Sequence, residues 1–233
     1  MLKLMKLEFA KIKVSSIMRA FVIIAASILA FTILTGSIID EGERMFDNAS
    51  QMLAFGEILC RISYGIFGGV MLGNVVIGEY KEGTIQNLFS YPISRKRIMG
   101  CKLCIVFGFT FITILLSEII FGIGMFLANR WITIVTEPIT LMQIMGRLPG
   151  AVFSAGATAG LSMIPLYFGM RRKSVTATIV AGVVINCLVN SSFGGDQGQL
   201  SLFSISLVPA GLCILGLAIA YVSYRDIDKR DVI

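Results

Sequence analysis

Long apolar runs alternate with short polar segments along this chain. Six runs each hold about 20 residues, the length that an α-helix needs to cross the apolar core of a bilayer. They are Ile17–Ile39, Ile58–Ile77, Met99–Phe121, Leu148–Met170, Val175–Phe193 and Leu202–Tyr224. The third run can be extended to Leu127, and the fifth is diluted by Thr and Asn residues. The pattern predicts an all-α, polytopic membrane protein with six transmembrane helices.

The composition supports a membrane protein over a soluble one. Apolar residues make up 56% of the 233 residues, charged residues only 15%, and the mean hydropathy is +0.85. A soluble domain is typically less apolar and more highly charged. Because the segments between the runs are too short to fold alone, we predict a single transmembrane domain over residues 1–233. Residues 17–77 hold the first two spans, and residues 98–233 hold the other four with a cytoplasmic tail.

The positive charges predict how the chain is oriented. A formal net charge of +6 would suggest a nucleic-acid partner in a soluble protein, but here the Lys and Arg residues lie mostly at the ends of apolar runs. With both termini in the cytoplasm, all of the 20 Lys and Arg residues fall inside except for Arg44, Arg61, Arg130 and Arg147. Because cytoplasmic loops collect positive charge, we predict this orientation and no nucleic-acid partner.

Residues 1–16 precede the first span and carry a different pattern. Lysines alternate with apolar residues at Lys3, Lys6, Lys11 and Lys13, which predicts an interfacial helix on the anionic inner leaflet. A signal peptide is the alternative, but its apolar core is about 7–15 residues long and ends at a small-residue cleavage site. The run that follows here is longer and lacks such a site.

The polar stretch 78–97, between the second and third runs, has helix boundaries of its own. Thr84 can cap a first helical turn, and Gly83 permits a sharp turn just before it. Apolar residues then recur at the i, i+3 and i+4 spacing of one helix face; they are Ile85, Leu88 and Phe89. Pro92 biases the residue before it away from helical geometry. A short cytoplasmic helix is therefore predicted here.

The same stretch resembles the signature of the ABC-2 type transporter permeases. That signature has an acidic residue at the inner end of the second span, then Gly-Thr, an apolar position, Pro-x-Ser-Arg and a Lys early in the third span. The matching residues here are Glu79, Gly83-Thr84, Leu88, Pro92-Ile93-Ser94-Arg95 and Lys102. The six-span layout agrees with the family, so the resemblance covers essentially the whole chain.

The resemblance implies the membrane subunit of an ATP-driven exporter in the bacterial plasma membrane. Such permeases pair with a second permease subunit, identical or homologous, and with a dimer of ATP-binding subunits. In that family the short helix between spans two and three docks into a groove on the ATP-binding subunit. The docking residues implied here are Glu79, Glu82, Gly83, Thr84, Ile85, Leu88, Phe89, Pro92 and Arg95. An ordinary loop with positive charges is the alternative, but the apolar face favours docking.

The resemblance implies a class of cargo and not a particular molecule. Small permeases with short outer loops resemble those of lantibiotic and bacitracin-type export and immunity systems, which implies a hydrophobic or amphipathic antimicrobial peptide as cargo. Export of lipids or small drugs is the alternative within the same fold. A secondary transporter or channel is disfavoured because few charges lie inside the spans and no inverted repeat is visible. An intramembrane enzyme would need a cluster of catalytic groups that the spans do not offer.

The residue types indicate no catalytic, cofactor or metal site in this chain. A phosphate-binding loop needs Gly-x-x-x-x-Gly-Lys followed by Ser or Thr, and this pattern does not occur. ATP and Mg are therefore expected on the partner subunit. The chain has 0 His residues, which removes the commonest proton shuttle and most zinc sites. Cys101 and Cys104 have the spacing of a redox pair, but we interpret them and the other three cysteines as small apolar packing residues.

Two further sets of residues inside the spans are expected to matter. Glycines at a four-residue spacing allow helices to approach closely, whether in a static contact or in a seam that moves; they are Gly65, Gly69, Gly73, Gly156 and Gly160. Polar groups inside a membrane are expensive and need a role; they are Arg61, Asn74, Glu118, Asn186 and Asn190.

The depth of the two charged groups allows a pair. Arg61 and Glu118 can meet between spans two and three, and we expect a structural role for them ahead of a substrate contact. Glu57 competes for Arg61, since it lies four residues earlier on the same helix. The asparagines can line a pathway or join helices, and the sequence does not decide between the two. Pro165 is expected to disturb the fourth span.

Overall fold

A computed structural model describes residues 14–40, 43–44, 46, 48–78, 95–131, 140–172, 174–190 and 207–225. Seven α-helices occupy these residues: α1 Val14–Ser37, α2 Ala49–Leu72, α3 Arg95–Trp131, α4 Leu141–Leu161, α5 Pro165–Arg172, α6 Val175–Asn190 and α7 Leu207–Arg225. A π-helical turn, Gly73–Ile77, continues α2. Two short antiparallel strands, β1 Ile39–Asp40 and β2 Glu43–Arg44, pair Ile39 with Arg44 and Asp40 with Glu43. The prediction of a helical protein is confirmed for the described residues. The short strand pair was not predicted.

The lengths of the helices fit a protein that crosses a membrane several times. Four helical stretches in the described part are long and apolar enough to span: Ser15–Ser37, Ala49–Ile77, Arg97–Trp131 and Leu141–Arg172. Two more, Val175–Asn190 and Ala210–Tyr221, are apolar but shorter. The count of six spans therefore stays a prediction for the last two. Most of the predicted interfacial helix lies outside the described residues. The predicted docking helix lies entirely outside them.

Three helices extend beyond their predicted ends, each through a short segment that contains polar residues. Helix α2 begins at Ala49 instead of Ile58, α4 begins at Leu141 instead of Leu148, and α3 continues past Leu127 to Trp131. At 1.5 Å per residue, the 37 residues of α3 extend about 55 Å, well beyond a hydrocarbon core of about 30 Å. The apolar runs mark the part of each helix inside the bilayer, while the helices continue into the interface, where polar side chains are tolerated.

The fourth predicted span is divided where Pro165 was expected to disturb it. Helix α4 ends at Leu161, and a turn of three residues leads to α5, in which Pro165 is the first residue. Proline lacks a backbone N–H, so it cannot continue the hydrogen-bond ladder of α4, but it fits the first turn of a new helix. Helix α4 also contains Pro149 without a break.

Helix α2 lies at the centre of the bundle. One apolar cluster joins it to α1 and α3, and there the buried Tyr64 hydroxyl donates a hydrogen bond of 3.0 Å to the Phe21 carbonyl oxygen of α1. A second cluster joins the π-helical turn to α3, α5 and α7, through residues such as Val76, Val106 and Leu166. We call the end of the bundle that holds the starts of α2 and α4 the distal end, and the end that holds the start of α3 the motif end.

Glycines lie at two contacts where helix backbones approach one another. A Cβ atom at Gly69 would lie 3.5 Å from the Cα of Gly182, so α2 and α6 meet backbone to backbone. A Cβ atom at Gly160 would lie 2.7 Å from the Cα of Cys213, and one at Gly216 would overlap the Gly160 carbonyl. Helices α4 and α7 therefore approach so closely that no side chain fits between them.

At the other three glycines singled out in the sequence, the nearest atoms of the neighbouring helix belong to side chains. Gly65 faces the side chain of Asn186, and Gly73 lies beside Val175; both of these neighbours belong to α6. The nearest atom to a Cβ at Gly156 would be Phe111 Cε2, at 3.8 Å, which is an ordinary contact.

Candidate functional site

A guanidinium group ties α2 to α4 at the distal end. Arg147 Nη1 donates to Glu57 Oε1 at 2.9 Å, and its Nη2 donates to the Ser50 carbonyl oxygen at 2.8 Å. The Arg147 and Glu57 side chains are 31% and 28% exposed. One planar guanidinium thus holds a carboxylate and a backbone carbonyl of the same helix, a forked geometry that Arg provides and Lys does not.

Helix α3 contributes the buried carboxylate of Glu118 to the same region. The Glu118 side chain is 9% exposed, and Ser154 of α4 donates a hydrogen bond of 3.3 Å to its Oε1. Its Oε2 is buried and makes no hydrogen bond with the described residues. Arg61 is half-buried on α2, four residues after Glu57. Three helices therefore bring the carboxyl groups of Glu57 and Glu118 and the guanidinium of Arg147 to one place.

A cavity of about 30 Å³ lies inside this polar cluster, between α2, α3 and α4. Glu57, Glu118 and Arg147 line it together with apolar residues. A cavity of that size can hold a water molecule, and buried water typically serves polar atoms that lack a protein partner. The Oε2 atom of Glu118 is such an atom. The cluster joins α2, α3 and α4. A direct structural pair between Arg61 and Glu118 stays a prediction.

Sequence reasoning missed Arg147 because it placed the start of α4 at Leu148 instead of Leu141. It missed Ser154, inside the predicted span, because no pattern distinguished this small polar residue. One signal could have found the start. Thr140 is followed three residues later by Gln143, a spacing typical of a capping box. In the structure, the Thr140 backbone N–H donates to Gln143 Oε1 at 3.2 Å. A helix that starts at Leu141 would have placed Arg147 in its second turn.

The predicted asparagines separate into two groups. Asn186 and Asn190 are buried on α6, where Asn186 Nδ2 donates to the Gly182 carbonyl and Asn190 Nδ2 to the Asn186 carbonyl, both at 2.9 Å. Asn186 lies at the contact with Gly65 of α2. Asn74, by contrast, is exposed in the π-helical turn. Asn186 thus belongs to the contact between α2 and α6, and both amides bond to the backbone of their own helix.

A buried lysine connects α3 to α2 at the motif end. Lys102 is 3% exposed, and its Nζ donates a hydrogen bond of 3.2 Å to the carbonyl oxygen of Val75. That carbonyl lies within the π-helical turn Gly73–Ile77, whose widened ladder frees backbone groups for such partners. The turn is the last described part of α2 before the stretch 79–94. Lys102 therefore fixes the two helices on either side of that stretch to one another.

Most of the predicted docking residues lie outside the described residues: Glu79, Glu82, Gly83, Thr84, Ile85, Leu88, Phe89 and Pro92. Arg95 is the first residue of α3. The helix that they were predicted to form and its apolar face therefore stay predictions.

The cysteines are free, and they differ in burial. Cys60 and Cys101 are buried, Cys213 is half-buried, and Cys104 and Cys187 are exposed. The packing interpretation was therefore wrong for Cys104 and Cys187, which are exposed. No group of three or more metal-binding side chains occurs in the described part of the chain.

Comparison with known proteins identifies relatives over nearly the full length. Residues 4–188 match the model of a family described as ABC-2 family transporter protein. The chain is 36% identical over 232 residues to a protein of Bacillus subtilis (strain 168) described as uncharacterized protein YcbO, and the match covers 99% of this chain and 100% of that protein. No solved structure matches the chain.

Proposed function

The chain belongs to the ABC-2 family of transporter proteins, and from this premise we propose that it is the membrane subunit of an ATP-driven exporter. The family match over residues 4–188 carries this proposal. The helices that are long and apolar enough to span a bilayer support it, since a permease must provide a path across the membrane. A membrane permease subunit of an ABC transporter is a transport component and not itself catalytic.

The energy for transport comes from an ATP-binding partner subunit, which the family implies. In this proposal the partner holds ATP and Mg, and it contacts the stretch from Glu79 to Arg95. A displacement of that stretch would reach α2 through the π-helical turn and α3 through its first residue. Lys102 supports this coupling, because its hydrogen bond to Val75 joins α3 to the same turn.

The working unit in this proposal is a pair of permease subunits, identical or homologous, on a dimer of ATP-binding subunits in the bacterial plasma membrane. The cargo is a hydrophobic or amphipathic antimicrobial peptide, with a lipid or a small drug as the alternative. Several helices expose apolar side chains such as Val22, Ile123 and Ile214. Such faces can contact either lipid or a hydrophobic cargo. A secondary transporter or channel remains the alternative outside the family's mechanism.

Protection against a membrane-active peptide tests the proposed function. Cells that express this chain with its ATP-binding subunit are expected to grow at higher bacitracin or lantibiotic concentrations than cells that express either subunit alone. Changing the phosphate-binding lysine of the ATP-binding subunit to Ala should remove the protection, because ATP would no longer drive transport. Protection that survives this change would indicate secondary transport instead. A pair that protects against no peptide but moves a labelled lipid or drug would support the alternative cargo.

The proposed orientation makes a separate prediction about labelling from outside the cell. In a variant without native cysteines, Asp47→Cys and Gly195→Cys should react with an impermeant maleimide in intact cells, whereas Lys173→Cys should react only after lysis. The expectation rests on the excess of positive charge on the cytoplasmic side. Native cysteines must be absent because Cys104 and Cys187 are exposed. Reaction of the Lys173→Cys variant in intact cells would reverse the orientation.

A further inference from the structure

An apolar groove of about 350 Å³ separates α3 from α7 at the motif end. The groove forms because α7 packs closely against α4 and only loosely against α3. Gly160 and Gly216 bring α7 into backbone contact with α4, so α7 has little contact with α3, and a space is left between them. Met163, which is fully buried, contributes to the groove from the turn after α4.

The walls of the groove are apolar and its opening faces sideways. Leu103 and Phe107 line it from α3, and Ala220 lines it from α7. Leu217 and Tyr221 also line it and are 46% and 62% exposed, so the groove is open at the flank of the bundle. In a membrane that flank meets acyl chains, and the volume lies within the range of about 300–1,000 Å³ that is typical of ligand sites.

Arg97 provides a positive charge on the face of α3 that lines the groove, at the motif end of the groove. Gly100, Cys104 and Phe107 of α3 line the groove, and they follow Arg97 by 3, 7 and 10 residues. That spacing puts Arg97 on their face, one turn closer to the motif end. Arg97 is exposed. An alkyl chain in the groove would therefore have an anion-binding guanidinium at the level where its headgroup emerges.

We propose that this groove binds one acyl chain of an anionic phospholipid, with Arg97 at the lipid phosphate. The apolar walls accept the chain, the sideways opening admits it from the bilayer, and the cation selects the headgroup charge. The site lies in the cytoplasmic leaflet if the proposed orientation is right, and that leaflet is the one whose anionic lipids attract basic residues. Lipid binding itself does not depend on the orientation or on the cargo.

The exposed thiol of Cys104 reports on the groove directly. The full chain is purified in detergent, phosphatidylglycerol or phosphatidylcholine with identical acyl chains is added, and the rate of N-ethylmaleimide addition to each cysteine is measured by peptide mass spectrometry. Phosphatidylglycerol should slow the reaction of Cys104 but not that of Cys187, which is exposed on α6. Phosphatidylcholine should need about fivefold higher concentration for the same protection, because one cation near a headgroup favours an anionic lipid by about this factor.

Two matched pairs of variants test the parts of the site. Arg97→Gln should abolish the difference between the two lipids, while Arg172→Gln, another exposed cation at the motif end, should keep it. Leu217→Trp should remove the bound phosphatidylglycerol seen by native mass spectrometry, because the larger indole would obstruct the groove. Leu215→Trp, at an exposed leucine of α7 that does not line the groove, should retain it.

Each other occupant of the groove gives a distinct result that would overturn the proposal. Equal protection of both cysteines, or no protection, means that no lipid occupies the groove. If both lipids slow the reaction of Cys104 at the same concentration, Arg97 does not select the headgroup. Protection that increases with protein concentration at constant lipid assigns the groove to a second copy of the chain. Protection without lipid that disappears when the chain ends at Arg225 assigns it to residues 226–233, and stronger protection by bacitracin than by lipid assigns it to cargo.

Discussion

Replacing Leu88 and Phe89 together with Asp is expected to abolish binding of the ATP-binding subunit while the permease still inserts into the membrane. Both residues belong to the apolar face predicted for the helix that begins after Thr84. If that face is buried in a groove of the partner, two carboxylates would have to enter an apolar contact, at a cost of several kcal/mol. Recovery of the ATP-binding subunit with a tagged permease in detergent measures the effect.

A matched control separates loss of the apolar face from the added charge. Gln86→Asp with Asn87→Asp adds the same two charges to the opposite face of the predicted helix, and the partner should still be recovered. If the Leu88 and Phe89 variant also binds its partner normally, the helix does not dock through this face. If both double variants lose the partner, negative charge anywhere in the stretch is sufficient, and the apolar anchors have no special role.

Four of the predicted spans correspond to long apolar helices in the described part of the chain, and they were predictable because bilayer thickness imposes one length on every apolar run. The helix ends were not, because a helix does not end where apolar residues end. Glu57 and Arg147 illustrate the difference. Arg147 was placed outside the membrane, and Glu57 precedes the second apolar run, yet the two bind one another across α2 and α4. Both helices can therefore continue beyond the apolar runs with these charges paired. Only local signals such as the Thr140 and Gln143 spacing mark such an end in the sequence.

Helix partners were less predictable than helix positions. The spacing of Gly65, Gly69 and Gly73 indicated close packing, but it did not indicate that α6 would be the neighbour. Gly182 and Gly216 complete the two contacts, and neither belongs to a pattern of its own in the sequence. Which faces meet depends on the packing of whole helices, and no single spacing along the chain contains that information. The same limit applies to Glu118, whose contact with Ser154 joins residues 36 positions apart.

The tie between Glu57 and Arg147 should be visible as a coupling energy. Arg147→Leu leaves the Glu57 carboxylate without the guanidinium, and it also removes the hydrogen bond to the Ser50 carbonyl. Glu57→Leu leaves the guanidinium with the carbonyl alone. Because both side chains are about 30% exposed, we expect each single change to cost about 1–3 kcal/mol, less than the loss of a partner in a fully buried pair. The melting temperature of the detergent-solubilised protein should fall in both variants.

The double variant distinguishes a specific pair from two independent losses. Glu57→Leu with Arg147→Leu should recover part of the stability, because no unpaired charge remains, but not all of it, since the hydrogen bond to Ser50 is still missing. Arg130→Leu removes an exposed cation near the end of α3 and should change the melting temperature little, alone or with Glu57→Leu. If the effects of Glu57→Leu and Arg147→Leu simply add, the two groups do not stabilise one another. If instead the single variants keep their melting temperature but lose peptide protection, the guanidinium acts on the transport path and not as a tie between α2 and α4.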